Sequence, residues 1–144
     1  MRPKPSRFLD STIFLYAFIK PLKEPPPKLR EDKKKAQDIV RRIQEGEKVA
    51  TTVVHISEIA NILEARTPPS NARSIIMSIL NNENIKVFNV KDREYVNAVE
   101  AAEIYNIGIN NALAYNLLQK NGITEVYSFD KHFDKLPGIQ RLEN

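Results

Sequence analysis

The sequence predicts an α/β fold, a three-layer α/β/α sandwich around a central parallel sheet of four to five strands. Three observations lead there. Short β-branched or apolar runs alternate with longer runs of helical period along all 144 residues, as strands do when crossover helices separate them. The first apolar run changes period at Asp10, so a strand gives way to a helix there. With 42% hydrophobic and 28% charged residues, the composition is that of a globular chain, and 1–144 is read as one domain.

Taken in order, residues 1–6 are a loose basic tail with two prolines. Residues 7–9 form the first strand and 11–19 the first helix, on Ile13, Tyr16 and Ala17 at i, i+3, i+4. Pro21, Pro25, Pro26 and Pro27 then break regular structure, making 20–30 a stiff Pro-rich loop. It carries Lys20, Lys23, Lys28 and Arg30, and is either a solvated connector or an arm that touches a phosphate backbone. Ala36, Ile39, Val40 and Ile43 make 31–44 an amphipathic helix that Gly46 ends. Residues 48–54 are the second strand.

Helices at 55–66 and 69–81, separated by Pro68 and Pro69, form an αα-hairpin. It is the least standard piece, a candidate lid or dimer surface. Residues 85–90 are the third strand, and a helix over 91–106 follows, with Asp92 as its expected N-cap. Asn110 or Asn111 is expected to cap the helix that reaches Lys120, where Asn121 and Gly122 stop it. The fourth strand is 125–129, 130–136 is a short turn or helix, and 138–142 a short edge strand.

Composition excludes several classes of function. The absence of cysteine removes disulfide frameworks and thiolate metal sites. Four glycines supply no Gly-rich phosphate loop. No apolar run is long enough to cross a membrane, and the N-terminus lacks a signal-peptide pattern, so a cytoplasmic location is expected. A net charge of +4 and a pI near 9.3 favour a polyanionic partner such as nucleic acid.

Three acids hold comparable places. Asp10 follows the first strand, Glu58 lies in the first turn of the helix after the second, and Asp130 follows the fourth. Parallel strands end along one sheet edge, where open α/β sheets bind ligands, so acids distant in sequence would converge. Converging carboxylates repel unless a cation sits between them, and an all-oxygen set suits Mg²⁺ or Mn²⁺. The chemistry that follows is phosphodiester hydrolysis. Each acid also has a plain structural reading: Asp10 as a helix cap, Glu58 as a solvated glutamate, Asp130 as a turn residue. His55 and Glu58 are spaced i, i+3, but zinc needs more nitrogen or sulfur ligands than this chain offers. His132 reads as a surface residue.

These residues together resemble the PIN domain, and within it the toxin-type ribonucleases of the VapC kind. Phe8-Leu9-Asp10-Ser11-Thr12 is similar to the family's first motif. Thr51-Thr52-Val53-Val54-His55-Ile56-Ser57-Glu58-Ile59 resembles the second, with its glutamate at Glu58. Tyr127-Ser128-Phe129-Asp130-Lys131-His132-Phe133-Asp134 resembles the closing motif, with Asp130 as metal acid and Ser128 beside it. Ser11 and Ser128 are read as supporting hydroxyls. One position departs: in Ile109-Asn110-Asn111-Ala112-Leu113-Ala114, Asn111 stands where the family places an aspartate. An amide oxygen still ligates but brings no charge, so cation binding should weaken.

The resemblance implies Mg²⁺- or Mn²⁺-dependent cleavage of single-stranded RNA, with Asp10, Glu58, Asn111 and Asp130 in the site and Asp10, Glu58 and Asp130 on the metal. It also implies a small antitoxin partner and a homodimer. The basic residues Lys20, Lys23, Lys28 and Arg30 would hold RNA phosphates. The alternative is a catalytically weakened PIN-fold module that binds RNA or protein, motivated by Asn111.

Overall fold

The computed structural model describes residues 5–20 and 23–144. Most of the predicted basic tail, residues 1–4, and Pro21 of the Pro-rich loop lie outside the described residues. Five strands form one all-parallel sheet: β1 (Arg7–Leu9), β2 (Val49–Thr52), β3 (Ile85–Phe88), β4 (Glu125–Tyr127) and β5 (Gln140–Leu142), in the order β3-β2-β1-β4-β5. The fifth strand is an edge strand, as the sequence suggested.

Between strands run helices in pairs: α1 (Ser11–Phe18) and α2 (Pro27–Gln44), α3 (Val53–Arg66) and α4 (Pro69–Leu80), α5 (Asp92–Tyr105) and α6 (Ile109–Lys120). The αα-hairpin that looked exceptional in sequence is therefore the rule here, since each of the first three crossovers uses two helices. A 3-10 turn, Lys131–Lys135, makes the last connection.

Strand alternation sorts the core onto two faces. Leu9, Val49, Ile85 and Tyr127 face one side, with Ile13, Ile39, Ile43, Ile59 and Leu63 of α1 to α3. Phe8, Ala50 and Val126 face the other, with Ala114, Tyr115 and Leu118 of α6 and Phe133 of the 3-10 turn. From β1 the chain moves outward through β2 to β3, then returns past β1 to β4. The junction of β1 and β4 is thus the topological switch point, where a crevice opens at the strand ends.

Several boundaries differ from the expectation, each for a local reason. The loop expected over 20–30 ends early, because α2 begins at Pro27. Proline lacks only an N–H that the first helical position would not use, and its φ suits a helix start; Lys28 and Arg30 are consequently helical. The second strand, expected to reach residue 54, stops at Thr52, whose Oγ1 accepts from His55 N at 3.1 Å and caps α3. Replacing Thr52 with alanine is expected to cost about 1 kcal/mol, measurable by urea unfolding. Asp92 is the first residue of α5 rather than its cap, which is Lys91. Neither Asn110 nor Asn111 caps α6; Gly108 takes that place, because both amides are engaged elsewhere.

Among the described residues, no helix is long and apolar enough to cross a membrane. Ile56, Ile59, Leu63, Ala72 and Ile79 of the αα-hairpin, whose apolar faces were candidates for a dimer surface, are buried in the core. The larger exposed apolar side chains lie at Met77 and Leu80 of α4, in that same hairpin, and at Val96, Val99 and Ile104 of α5.

Candidate active site

β1 and β4 pair in register, Leu9 opposite Tyr127, so the next residue of each strand meets the other at the switch point. Those residues are Asp10 and Ser128. Asp10 N donates to Tyr127 O at 3.0 Å, the last rung between β1 and β4. Beyond it, side chains take over the hydrogen bonding. Ser128 Oγ donates to Asp10 Oδ2 at 2.6 Å and Thr12 Oγ1 donates to the same oxygen at 2.8 Å. Each hydroxyl also accepts a main-chain amide: Phe129 N donates to Thr12 Oγ1 at 3.1 Å and Asp130 N to Ser128 Oγ at 2.9 Å. These bonds capture the amides that a longer strand would have used, which is why β4 ends at Tyr127 and not at residue 129.

Asp10 is 3% exposed. It occupies the N-cap position of α1, yet its side chain makes no cap bond, so capping does not explain it. Both hydroxyls converge on Oδ2, and no hydrogen bond among the described residues reaches Oδ1. Glu58, one turn into α3, is half-buried, and Ser11 Oγ, next to Asp10 in the chain, donates to its Oε1 at 3.4 Å. The two carboxylates share a neighbour in His55. Its ring is fully buried, edge-on to Phe8 at 5.1 Å, with Nδ1 2.7 Å from Thr52 Oγ1. Burial pushes the His55 pKa down, despite the Asp10 and Glu58 charges and the Asn110 carbonyl, which push it up. Burial thus favours the neutral imidazole, whose Nδ1 is already occupied.

Asp130 is held differently. Asn111 Nδ2 donates to its Oδ2 at 2.8 Å, while His132 N reaches Oδ1 at 2.9 Å and His132 Nδ1 lies 2.7 Å from it. Both oxygens are thus occupied by the chain's own groups. Burial raises the Asp130 pKa, but the Asn111 bond and the His132 main-chain and ring contacts outweigh it, so the carboxyl stays below its usual range. A carboxylate whose folded pKa is depressed adds stability above its unfolded pKa, and that contribution fades as pH falls through the folded value. Asn111→Ala is expected to move the Asp130 titration upward, readable from its carboxyl carbon by NMR.

Asp10 and Asp130 are therefore linked through Ser128, and Glu58 sits against Ser11. Among the described residues, however, no three Asp, Glu or His side chains stand close enough together to hold one ion. Asp10 and Glu58 fit a hydrated magnesium-type ion, which is commonly bound through one or two carboxylates and otherwise by water and phosphate oxygens. Asp130 fits less well, because its lone pairs are already satisfied.

The basic residues fall into two kinds. Lys28 Nζ is 2.8 Å from Asp32 and Arg30 Nη1 3.3 Å from Glu24, so both are paired. Lys20 and Lys23 are exposed, and Lys20 lines a polar cleft with Arg66, Thr67 and Asn71. His132 is exposed as expected, but it also braces Asp130. Thr12 was legible only as a second hydroxyl after Asp10. Tyr95 OH donates to Asn110 Oδ1 at 2.8 Å, a contact between α5 and α6 that no spacing in the sequence announces.

An apolar groove of about 280 Å³ is lined by Leu15, Tyr16, Ile19, Leu29, Ile62 and Arg66. Ile62 and Arg66 lie one and two turns beyond Glu58 on α3, and Leu15 lies one turn beyond Ser11 on α1, whose last helical residue is Phe18. Along α3, Arg66 lies about 12 Å beyond Glu58 at 1.5 Å per residue.

The chain was compared with known proteins. No curated protein matches it by sequence. Solved structures do match it in fold. The sarcin–ricin-loop-cleaving toxin VapC20 of Mycobacterium tuberculosis is 18% identical, with a TM-score of 0.67 over 88% of this chain and 91% of its own. PAE2754 from Pyrobaculum aerophilum is 16% identical, with a TM-score of 0.63 over 96% and 90%. VapBC2 from Rickettsia felis, solved with a DNA fragment of its promoter, is 12% identical, with a TM-score of 0.63 over 94% and 96%. The PIN domain family matches residues 7–139, a span that takes in Asp10, Glu58, Asn111 and Asp130, and the chain belongs to that family.

Proposed function

We propose that the protein is a divalent-metal-dependent endoribonuclease that hydrolyses single-stranded RNA, acting as the toxin of a toxin–antitoxin pair. The observation that carries this reading is Asp10: a buried carboxylate at the switch point, held on one oxygen by two hydroxyls, with Glu58 joined to the neighbouring Ser11. PIN domains generally use divalent metal ions. Asp10 and Glu58 are the proposed ligands of Mg²⁺ or Mn²⁺; Asp130 would join them only on release from Asn111 and His132. A bound cation would acidify a water and offset charge on the phosphate.

The chain's own residues have separate tasks. Ser128 and Thr12 orient Asp10, and Ser11 braces Glu58. Asn111 holds Asp130. Lys20 and Lys23 are available to phosphates, whereas Lys28 and Arg30 would first have to leave Asp32 and Glu24. The antitoxin partner is proposed to lay an apolar segment along the groove between α1 and α3, with an acidic residue opposite Arg66. A homodimer is proposed through the exposed apolar side chains of α5, and the location is proposed to be cytoplasmic.

The test is incubation of the purified protein with an unstructured RNA, with Mg²⁺ or Mn²⁺ and then with EDTA. Metal-dependent fragments support the reading; no cleavage under either condition overturns it. One observation favours the second reading, a weakened module that binds RNA or protein: Asn111 already satisfies Asp130, removing part of the demand for a cation. Tight RNA binding without cleavage would select it.

A further inference from the structure

We infer that Arg141, on the edge strand β5, is a positioning residue of the candidate site, fixing the peptide that follows β4. Arg141 lies beyond residues 7–139, the span that the family matches. The inference rests on the proposed ribonuclease site only for its activity readout.

The geometry starts at Ser128, the first residue past the end of β4. Its N–H donates to Leu142 O at 3.0 Å, continuing the ladder by one rung. Its carbonyl accepts from Arg141 Nη1 at 3.1 Å. The Ser128 carbonyl and the Phe129 N–H belong to one planar peptide unit, and Phe129 N donates to Thr12 Oγ1. One rigid plane is therefore held from opposite edges, by Arg141 on β5 and by Thr12 on α1. Rotating it would draw the Phe129 amide from Thr12 and shift Ser128, the two groups whose hydroxyls meet on Asp10 Oδ2.

The guanidinium is itself fixed. Nε and Nη2 reach Asp134 Oδ1 and Oδ2 at 3.0 and 3.3 Å, and Nη1 donates to Glu143 Oε2 at 2.6 Å. The side chain is only 12% exposed. Asp134 belongs to the 3-10 turn that starts just after Asp130, so the same fork anchors the chain on both sides of that acid. A planar fork makes these contacts together; a lysine ammonium offers charge without the fork. Arg141 thus acts through Ser128 and Thr12 on Asp10, and through Asp134 on the turn that carries Asp130.

The test is Arg141→Lys in the full chain, read by amide hydrogen exchange and by RNA cleavage. Exchange at Phe129 and Asp130 is expected to quicken about tenfold, as local opening becomes easier, while the Asp10 amide in the sheet is unchanged. With RNA, kcat is expected to fall about 10- to 100-fold, the usual range for groups that orient ligands, with KM unchanged. Should Arg141→Lys not fold, Asp134→Asn, at an exposed position, is expected to move both readouts the same way by about threefold. Unchanged exchange at Phe129 and Asp130 overturns the inference, and so does unchanged kcat in a variant of an active protein. If the unmodified protein cleaves no RNA, the ribonuclease reading fails, and exchange alone decides the role of Arg141.

Discussion

Asp10→Asn is expected to lower RNA cleavage roughly 10³-fold, because metal stabilisation of a transferring phosphoryl group is worth several kcal/mol and each ~1.36 kcal/mol is tenfold in rate. The substitution is nearly isosteric. The asparagine oxygen can keep both hydroxyl bonds now made to Oδ2 by Thr12 and Ser128, so the fold should persist while the charge is lost. Calorimetric titration with Mn²⁺ should show weaker binding in the same variant. Ser128→Ala is a useful contrast. It removes an orienting hydroxyl and leaves the charge, so its cost should be about 10- to 100-fold. Cleavage by Asp10→Asn at the parental rate would remove Asp10 from the chemistry.

The contrast between those two variants follows a division in what the sequence makes legible. Asp10 could be located because a change of hydrophobic period marks a strand end, and strand ends in a parallel sheet share one edge. The same logic located Asp130 after the fourth strand and Glu58 after the second, whereas Ser128 was placed inside the fourth strand and named only through the family resemblance. The individual helices also followed from periodicity, but not their arrangement in three pairs. What periodicity does not carry is the direction in which a side chain hydrogen-bonds once the strand has ended. Asn111 sits in the first turn of α6, where an asparagine commonly caps; tertiary contact turns it to Asp130 instead. Asn110 is drawn to Tyr95, from a different helix. Pro27 looked like one more breaker in a run of prolines, although a proline at the first helical position starts a helix. In each case a residue type with two common uses was assigned by neighbours distant in sequence.

The strand order had a similar limit. Alternating elements imply a parallel sheet, but they do not say that β1 sits at the centre with β2 and β4 on either side. That placement makes the crevice and brings Asp10 against Ser128. It ties Glu58 to the site only through Ser11, and among the described residues the three acids do not close into a single cage.

Asn111→Asp tests what that spacing means for the metal. In the parent, the Asn111 amide supplies a donor to Asp130 Oδ2 at 2.8 Å, a part that a cation would otherwise play. An aspartate there replaces the donor with a second negative charge, and two adjacent carboxylates raise one another's pKa unless a cation separates them. Without metal the variant should therefore be less stable, by about 1.5–3 kcal/mol for a lost bond to a charged group, or roughly 3–12 °C in Tm for a chain of this size. Divalent cation should reverse the order. An ion that binds only the folded state stabilises it by RT ln(1 + [L]/Kd), and the added charge lowers Kd, so Mn²⁺ should raise the variant's Tm by more than the parent's. The paired scans in EDTA and in Mn²⁺ read this without any RNA. Equal metal-induced shifts in the two proteins would mean that residue 111 does not face the ion. RNA cleavage then separates the two functional readings: faster turnover in the variant than in an active parent marks Asn111 as a brake on a nuclease, whereas cleavage confined to the variant marks the parent as a binding module.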